Sequence, residues 1–173
     1  IRLIDTPGFG GSYKGFSPLC YPTLVRYFQE QNYLPNYIFL IVNITEKDLE
    51  QKSGWFSIHL KKIKSELSEI IDSSSSSNVI VYLTHICSAS PAVQDNPSKL
   101  IQVVGEMIEE TLGVKNVPIV VGENRPEAYD LRRVSDFYVL PSGGLFPRNI
   151  YYEMIKQAKS VDPVGHSLIS EML

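Results

Sequence analysis

Three short apolar stretches, separated by amphipathic segments, constrain the fold of this chain most strongly. Residues 37–43 and 78–84 are almost continuously apolar, which is typical of strands buried on both faces of a parallel sheet. A third stretch, 117–121, has the same character. Between the first two, apolar residues recur every three or four positions along 56–70, the pattern of an amphipathic helix. Because strands and helices alternate, we expect an α/β fold with a mostly parallel sheet and crossover helices.

The length and composition are those of one ordinary globular domain. The chain has 173 residues, of which 43% are hydrophobic and 20% charged. We therefore expect one domain over residues 1–173, with an insert at about 122–147. The formal net charge of −3 gives no attraction to nucleic acid, and no apolar run is long enough to span a membrane. We expect no nucleic-acid partner, no transmembrane segment and, by default, a cytoplasmic location.

The chain opens on an apolar run that leads directly into Asp5-Thr6-Pro7-Gly8. If that run is a strand, Asp5 lies at its carboxyl end, where open α/β sheets bind ligands. A carboxylate there can hold Mg²⁺ through water, and Gly8, which has no Cβ, lets its N–H approach a phosphate oxygen. The motif favours a phosphate site, although an ordinary Asp-Pro-Gly turn has the same sequence.

In this motif and in element order, the chain resembles the C-terminal two-thirds of a P-loop (TRAFAC-class) GTPase domain. It is similar to septins and immunity-associated GTPases, which have comparable Asp-Thr-Pro-Gly-Phe segments. The resemblance implies a partial three-layer G domain that uses GTP and Mg²⁺, with Asp5 holding the metal through water and Thr6 and Gly8 beside the γ-phosphate. It also implies that residues 9–17 form the switch loop.

No G-x-x-x-x-G-K-[ST] phosphate loop occurs in these residues, and the order of motifs in the family places it before Ile1. We therefore expect a fragment that is inactive alone, within a longer parent that hydrolyses GTP. Where many small GTPases have a glutamine that orients the attacking water, this chain has Phe9. The resemblance thus implies slow turnover unless a partner or a second protomer supplies a group.

The resemblance assigns two loops to contacts with the nucleotide base, which we call the base-side loops. They are Thr84-His85-Ile86-Cys87 and the loop containing Glu123-Asn124. Thr84, His85, Glu123 and Asn124 are the implied nucleotide contacts. Cys87 stands where the family has the aspartate that reads guanine, and a thiol cannot replace two carboxylate oxygens as acceptor. The sequence therefore does not decide whether the site selects GTP over ATP.

Three alternatives follow from these departures. The parent can be a GTPase switch, a degenerate G domain that binds no nucleotide and serves as a protein-interaction scaffold, or an ATPase of the same fold. A homodimer, or a protein partner at the switch loop, fits the first two. His85 and Cys87 could also be a nucleophile pair, but no third orienting group accompanies them in the sequence.

Overall fold

The computed structural model describes residues 4, 6, 20–32, 35–46, 48–73 and 79–161. In chain order the helices are α1 (Cys20–Glu30), α2 (Trp55–Ser73), α3 (Pro91–Asp95), α4 (Ser98–Leu112) and α5 (Arg148–Val161). The strands are β1 (Ile38–Asn43), β2 (Val79–Thr84), β3 (Ile119–Val121), β4 (Arg133–Val134), β5 (Phe137–Val139) and β6 (Leu145–Phe146). Short 3-10 turns follow β2 at Ile86–Ser88 and β3 at Pro126–Tyr129.

Strands β1, β2 and β3 form a parallel sheet in that order. The register pairs Leu40 with Val81, and Leu83 with Val121. Every residue of β2 is buried, as its continuous apolar sequence predicts for a central strand. The prediction of an α/β fold with a parallel sheet and crossover helices is confirmed.

The main core lies between one face of this sheet and helices α2 and α4. The predicted amphipathic stripe of α2 is confirmed, because all five of its members are buried: Phe56, Leu60, Ile63, Leu67 and Ile70. From α4, Leu100, Val104, Met107 and Ile108 enter the same core. The helix ends at Gly113, whose φ of 78° is the left-handed conformation expected of a helix-terminating glycine.

Helix α5 covers part of the opposite face, where Ile150 and Met154 pack against Ile80, Tyr82 and Val120. The prediction that the whole run 37–43 is buried on both faces is wrong at Ile41, which is 63% exposed. Its neighbours Leu40 and Val42 point to the α2 and α4 side and are buried. An apolar run identifies a strand, but it does not specify how far a helix extends over each face.

Two local details also differ from the sequence expectation. The Asn96-Pro97 pair is typical of a helix that begins with Asn as N-cap and Pro as its first residue, but here Pro97 is the N-cap and α4 begins at Ser98. The Asn96 side chain still accepts a hydrogen bond from the Ser98 N–H at 3.1 Å. The insert at 122–147 contains its own small antiparallel sheet, β4-β5-β6. None of the helices in the described residues is long and apolar enough to cross a membrane.

Candidate functional site

Two loops lie side by side at the carboxyl edge of the parallel sheet. The first (residues 85–88) follows β2 and the second (residues 122–125) follows β3. The Gly122 N–H donates to the Leu83 carbonyl at 2.9 Å, and the Ile86 N–H donates to the Gly122 carbonyl at 3.3 Å. The structure therefore brings together the four base-side residues named from the sequence, two on each side of this junction.

Glu123 joins the two loops from inside the protein. Its side chain is fully buried, at 0% exposure. One carboxylate oxygen accepts from the Cys87 N–H at 3.2 Å, and the other accepts from the Arg125 N–H at 3.0 Å. Among the described residues, no basic side chain forms an ion pair with it. The burial of this carboxylate is thus offset by hydrogen bonds and not by a cation.

The Cys87 thiol faces the same carboxylate. Burial, the nearby negative charge of Glu123 and a hydrogen bond to it raise the pKa of Cys87 to about 11. The thiol therefore stays protonated at neutral pH and acts as a donor. This does not fit a thiolate nucleophile. The Cys–His pair considered from the sequence is further weakened, because the His85 ring is bonded to Thr84 and not to a carboxylate.

Backbone geometry and a hydroxyl group orient His85. The residue has φ 63° and ψ 39°, a left-handed conformation that costs energy in any residue other than glycine. Its Nδ1 lies 2.7 Å from the Thr84 Oγ1, which is itself 3.4 Å from the Val42 carbonyl. Thr84 is buried at 2% exposure. It positions the imidazole and is not itself presented to a ligand.

Asn124 is exposed at the rim of the second loop. Its side-chain oxygen accepts from the Tyr82 hydroxyl at 2.9 Å, which fixes the orientation of the carboxamide and leaves its NH₂ group pointing away from that bond. Burial and the charge of Glu123 raise the pKa of Tyr82, so the hydroxyl remains a donor.

Sequence reasoning missed the residues that support these loops. The Tyr82 and Phe146 rings are stacked, with centroids 6.0 Å apart, and both lie so close to Gly122 that a Cβ there would be 2.6 Å from their atoms. The Asn149 side chain donates to the Val121 carbonyl at 2.6 Å, which ties the start of α5 to the end of β3. The only sequence signal was Gly122 directly after an apolar run, a position where backbone and rings can approach closely.

A cleft of about 560 Å³ adjoins the first loop on the α2 and α4 side. Its rim includes Glu46, Asp48, Glu50 and Ser88, above a buried floor of Leu49 and Leu100. The cleft is therefore acidic, and a nucleotide phosphate does not fit its charge.

The phosphate-side predictions fall mostly outside the described residues. Asp5 and Gly8, with the loop 9–17, are not among them, and Thr6 is described only as exposed. Within the described residues no group of three or more acidic, histidine or cysteine side chains could hold a metal ion. The predicted Mg²⁺ position at Asp5 stays a prediction.

A scan against protein-family models finds no match to this chain, and a search of curated proteins finds no significantly similar sequence.

Proposed function

We propose that this chain is the base-side part of a GTP-binding domain, whose longer parent hydrolyses GTP and acts as a nucleotide-dependent switch. One observation carries the proposal. The two loops that the family resemblance assigns to the base follow neighbouring parallel strands and are joined through the buried Glu123. In open α/β sheets, ligands bind beyond the carboxyl ends of the strands, which is where these loops meet.

Two side chains on these loops have the chemistry to hold a purine. The Asn124 NH₂ group can donate to O6 or N7 of guanine, because its oxygen is already bonded to Tyr82. The half-buried imidazole of His85, held by Thr84, offers a flat face on which a base can stack.

The loops match the hydrogen-bond acceptors that guanine recognition requires less well than the donors. Recognition of the N1–H and N2–H₂ groups of guanine needs an acidic acceptor, and within loops 85–88 and 122–125, both described in full, the one carboxylate is Glu123. That carboxylate is buried, and both of its oxygens already accept backbone N–H groups. Cys87 is a protonated donor. We therefore expect GTP to bind with weak selectivity over ATP.

The phosphate half of the proposal depends on the resemblance alone. Asp5 would hold the metal through water, and Thr6 and the Gly8 N–H would lie beside the γ-phosphate. Bound Mg²⁺ would neutralise charge that develops on the phosphate oxygens. Phe9 offers no polar group to the attacking water, so unassisted hydrolysis would be slow.

Competition binding on the parent protein tests this proposal. A fluorescent GTP analogue is bound and then displaced with GTP, ATP or inorganic phosphate. The proposal predicts displacement by GTP, and by ATP within about tenfold of that concentration, which corresponds to about 1.4 kcal/mol. Asn124→Ala should weaken binding, whereas Gln102→Ala, which removes an exposed carboxamide from α4, should not.

A degenerate scaffold is the second candidate, and one feature favours it. Both oxygens of Glu123 already accept backbone N–H groups, and Cys87 stands where guanine recognition requires a carboxylate, so the junction offers no free acceptor to a base. If the parent binds neither GTP nor ATP, this candidate becomes the leading one.

A further inference from the structure

A second concave surface, whose chemistry differs from that of these loops, lies between helices α2 and α4. This α2–α4 groove measures about 610 Å³ and is lined by Lys52, Ser57, Lys61, Lys64, Ser65, Met107, Glu110 and Thr111. Its floor includes Ser57 and Met107, which are both buried. The lysines on its rim are exposed. The groove therefore combines a basic rim with a floor of one apolar side chain, Met107, and one small polar side chain, Ser57.

The basic rim reflects a local concentration of charge. Residues 51–65 contain four lysines and no acidic residue, although the whole chain has a net charge of −3. Among the described residues, no carboxylate forms an ion pair with Lys61 or Lys64. These two ammonium groups are three positions apart on one helix, which places them on neighbouring turns.

The groove already holds one carboxylate. Lys52 Nζ lies 2.8 Å from both side-chain oxygens of Glu110, across the gap between the segment preceding α2 and helix α4. Both side chains are highly exposed, at 75% and 57%. An exposed pair of this kind contributes little stability, so an incoming carboxylate can displace Glu110 at small cost.

An exposed apolar side chain borders the same rim. Ile58, which is 58% exposed, lies one turn before Lys61 and two turns before Ser65 on α2. A ligand that matches this surface has carboxylates about one helical turn apart and apolar side chains beside them. That combination describes an acidic amphipathic helix.

We propose that the α2–α4 groove binds an acidic amphipathic helix of a partner protein. Its carboxylates contact Lys61 and Lys64 and compete with Glu110 for Lys52, while its apolar side chains cover Ile58 and the groove floor. A planar lipid surface would leave a groove between two helices unfilled. A second copy of this chain fits less well, because α4, which carries Glu106, Glu109 and Glu110, buries its own apolar face in the core.

Fluorescence anisotropy on the full chain tests this proposal. The probe is a dye-labelled helical peptide with Glu at i and i+3 positions beside a leucine stripe, and its counterpart has Lys in place of Glu. We expect the acidic peptide to bind, and Lys61→Glu with Lys64→Glu to weaken binding at least about tenfold. The matched double variant Lys115→Glu with Lys156→Glu makes the same change in net charge elsewhere and should weaken it less than about twofold.

A second pair of variants tests the competition with Glu110. Glu110→Gln releases Lys52 and should tighten peptide binding about threefold, a change of about 0.6 kcal/mol. Glu109→Gln changes the net charge equally but frees no lysine, so it should leave the affinity unchanged. The proposal would be overturned if the two double lysine-to-glutamate variants weakened peptide binding equally. It would also be overturned if the basic peptide bound as tightly as the acidic one, or if the acidic peptide did not bind. So would lysine-dependent binding to anionic phospholipid vesicles in place of the peptide.

Discussion

At the scale of single residues, Glu123 determines the geometry of the candidate site. A buried carboxylate without a cation costs several kcal/mol unless donors surround it, and here two backbone N–H groups and a protonated thiol do so. The same residue thereby fixes the backbone of both loops and adds to the effect of burial, which is the larger cause of the raised pKa of Cys87. One side chain thus couples the geometry of the site to the protonation of its neighbours.

Removal of the Glu123 carboxylate should destabilise the whole domain. Glu123→Ala leaves the N–H groups of Cys87 and Arg125 without their acceptor and opens a cavity, so we expect a loss of about 2–4 kcal/mol in the free energy of unfolding. Urea denaturation measures it. Glu109→Ala, an exposed change on α4, should cost less than about 0.5 kcal/mol. Equal effects of the two substitutions would show that the hydrogen bonds of Glu123 do not hold the loops.

The raised pKa of Cys87 predicts a loss of stability at alkaline pH. The thiol ionises near pH 9.0 when exposed but at about 11 in the folded protein. Between these values unfolding releases a proton, so a rise in pH favours the unfolded state. The contribution of the protonated Cys87 thiol to the free energy of unfolding is complete below about pH 9 and is lost as the pH rises to about 11. Urea unfolding across this range should show a steeper decline for the native chain than for Cys87→Ser, which keeps a donor but does not titrate. Parallel declines would contradict the assignment.

At the scale of elements, the ends of β2 and β3 are held by packing as well as by hydrogen bonds. Gly122 leaves room for the Tyr82 and Phe146 rings, since a Cβ at this position would lie 2.6 Å from atoms of both. The rings in turn connect the main sheet to β6 of the insert. The position of the second loop, which follows β3, therefore depends on contacts from two other strands, β2 and β6.

Gly122→Ala should destabilise the domain through this contact. We expect a loss of about 1–3 kcal/mol, because neither ring can move without disturbing the stack. Gly105→Ala is the control, since its Cβ would lie 3.4 Å from the Ile119 side chain and alanine is favoured within a helix. Its effect should remain below about 1 kcal/mol. Thermal denaturation of the two variants compares them directly, and a neutral Gly122→Ala would show that the rings do not confine this glycine.

The two faces of β1 should differ in their tolerance of a polar group. Ile41 is 63% exposed and Val42 only 4% exposed. We expect Ile41→Thr to cost less than about 1 kcal/mol, whereas Val42→Thr, which buries a hydroxyl, should cost about 1–3 kcal/mol. Chemical denaturation measures both. The reverse order would mean that the face bearing Ile41 is covered in solution.

The elements that sequence reasoning predicted are those set by local pattern. Helix α2 and strand β2 followed from long, regular apolar spacing. Helix α3 and the strands of the insert are five residues or fewer, too short for periodicity to reveal. The burial of Glu123 was unpredictable for a different reason, because glutamate in a polar loop is almost always exposed and its donors come from distant or backbone positions.

At the scale of the whole molecule, the described part of the chain has two separate surfaces with opposite chemistry. The carboxyl edge of the sheet carries the loops that the GTPase resemblance assigns to a base, next to an acidic cleft. The α2–α4 groove is basic and accepts carboxylates. A nucleotide at the first surface and an acidic helix at the second would occupy different parts of the molecule, so their binding can be tested independently.

Nucleotide binding by the parent protein is the measurement that tests the central claim most directly. A fluorescent GTP analogue, displaced by GTP and by ATP, gives both affinity and selectivity in one titration. We expect GTP to bind, ATP to compete within about tenfold, and Asn124→Ala to weaken binding by about tenfold, which is about 1.4 kcal/mol. Absence of binding to both nucleotides by a folded parent protein would contradict the proposed function and would favour the interaction scaffold.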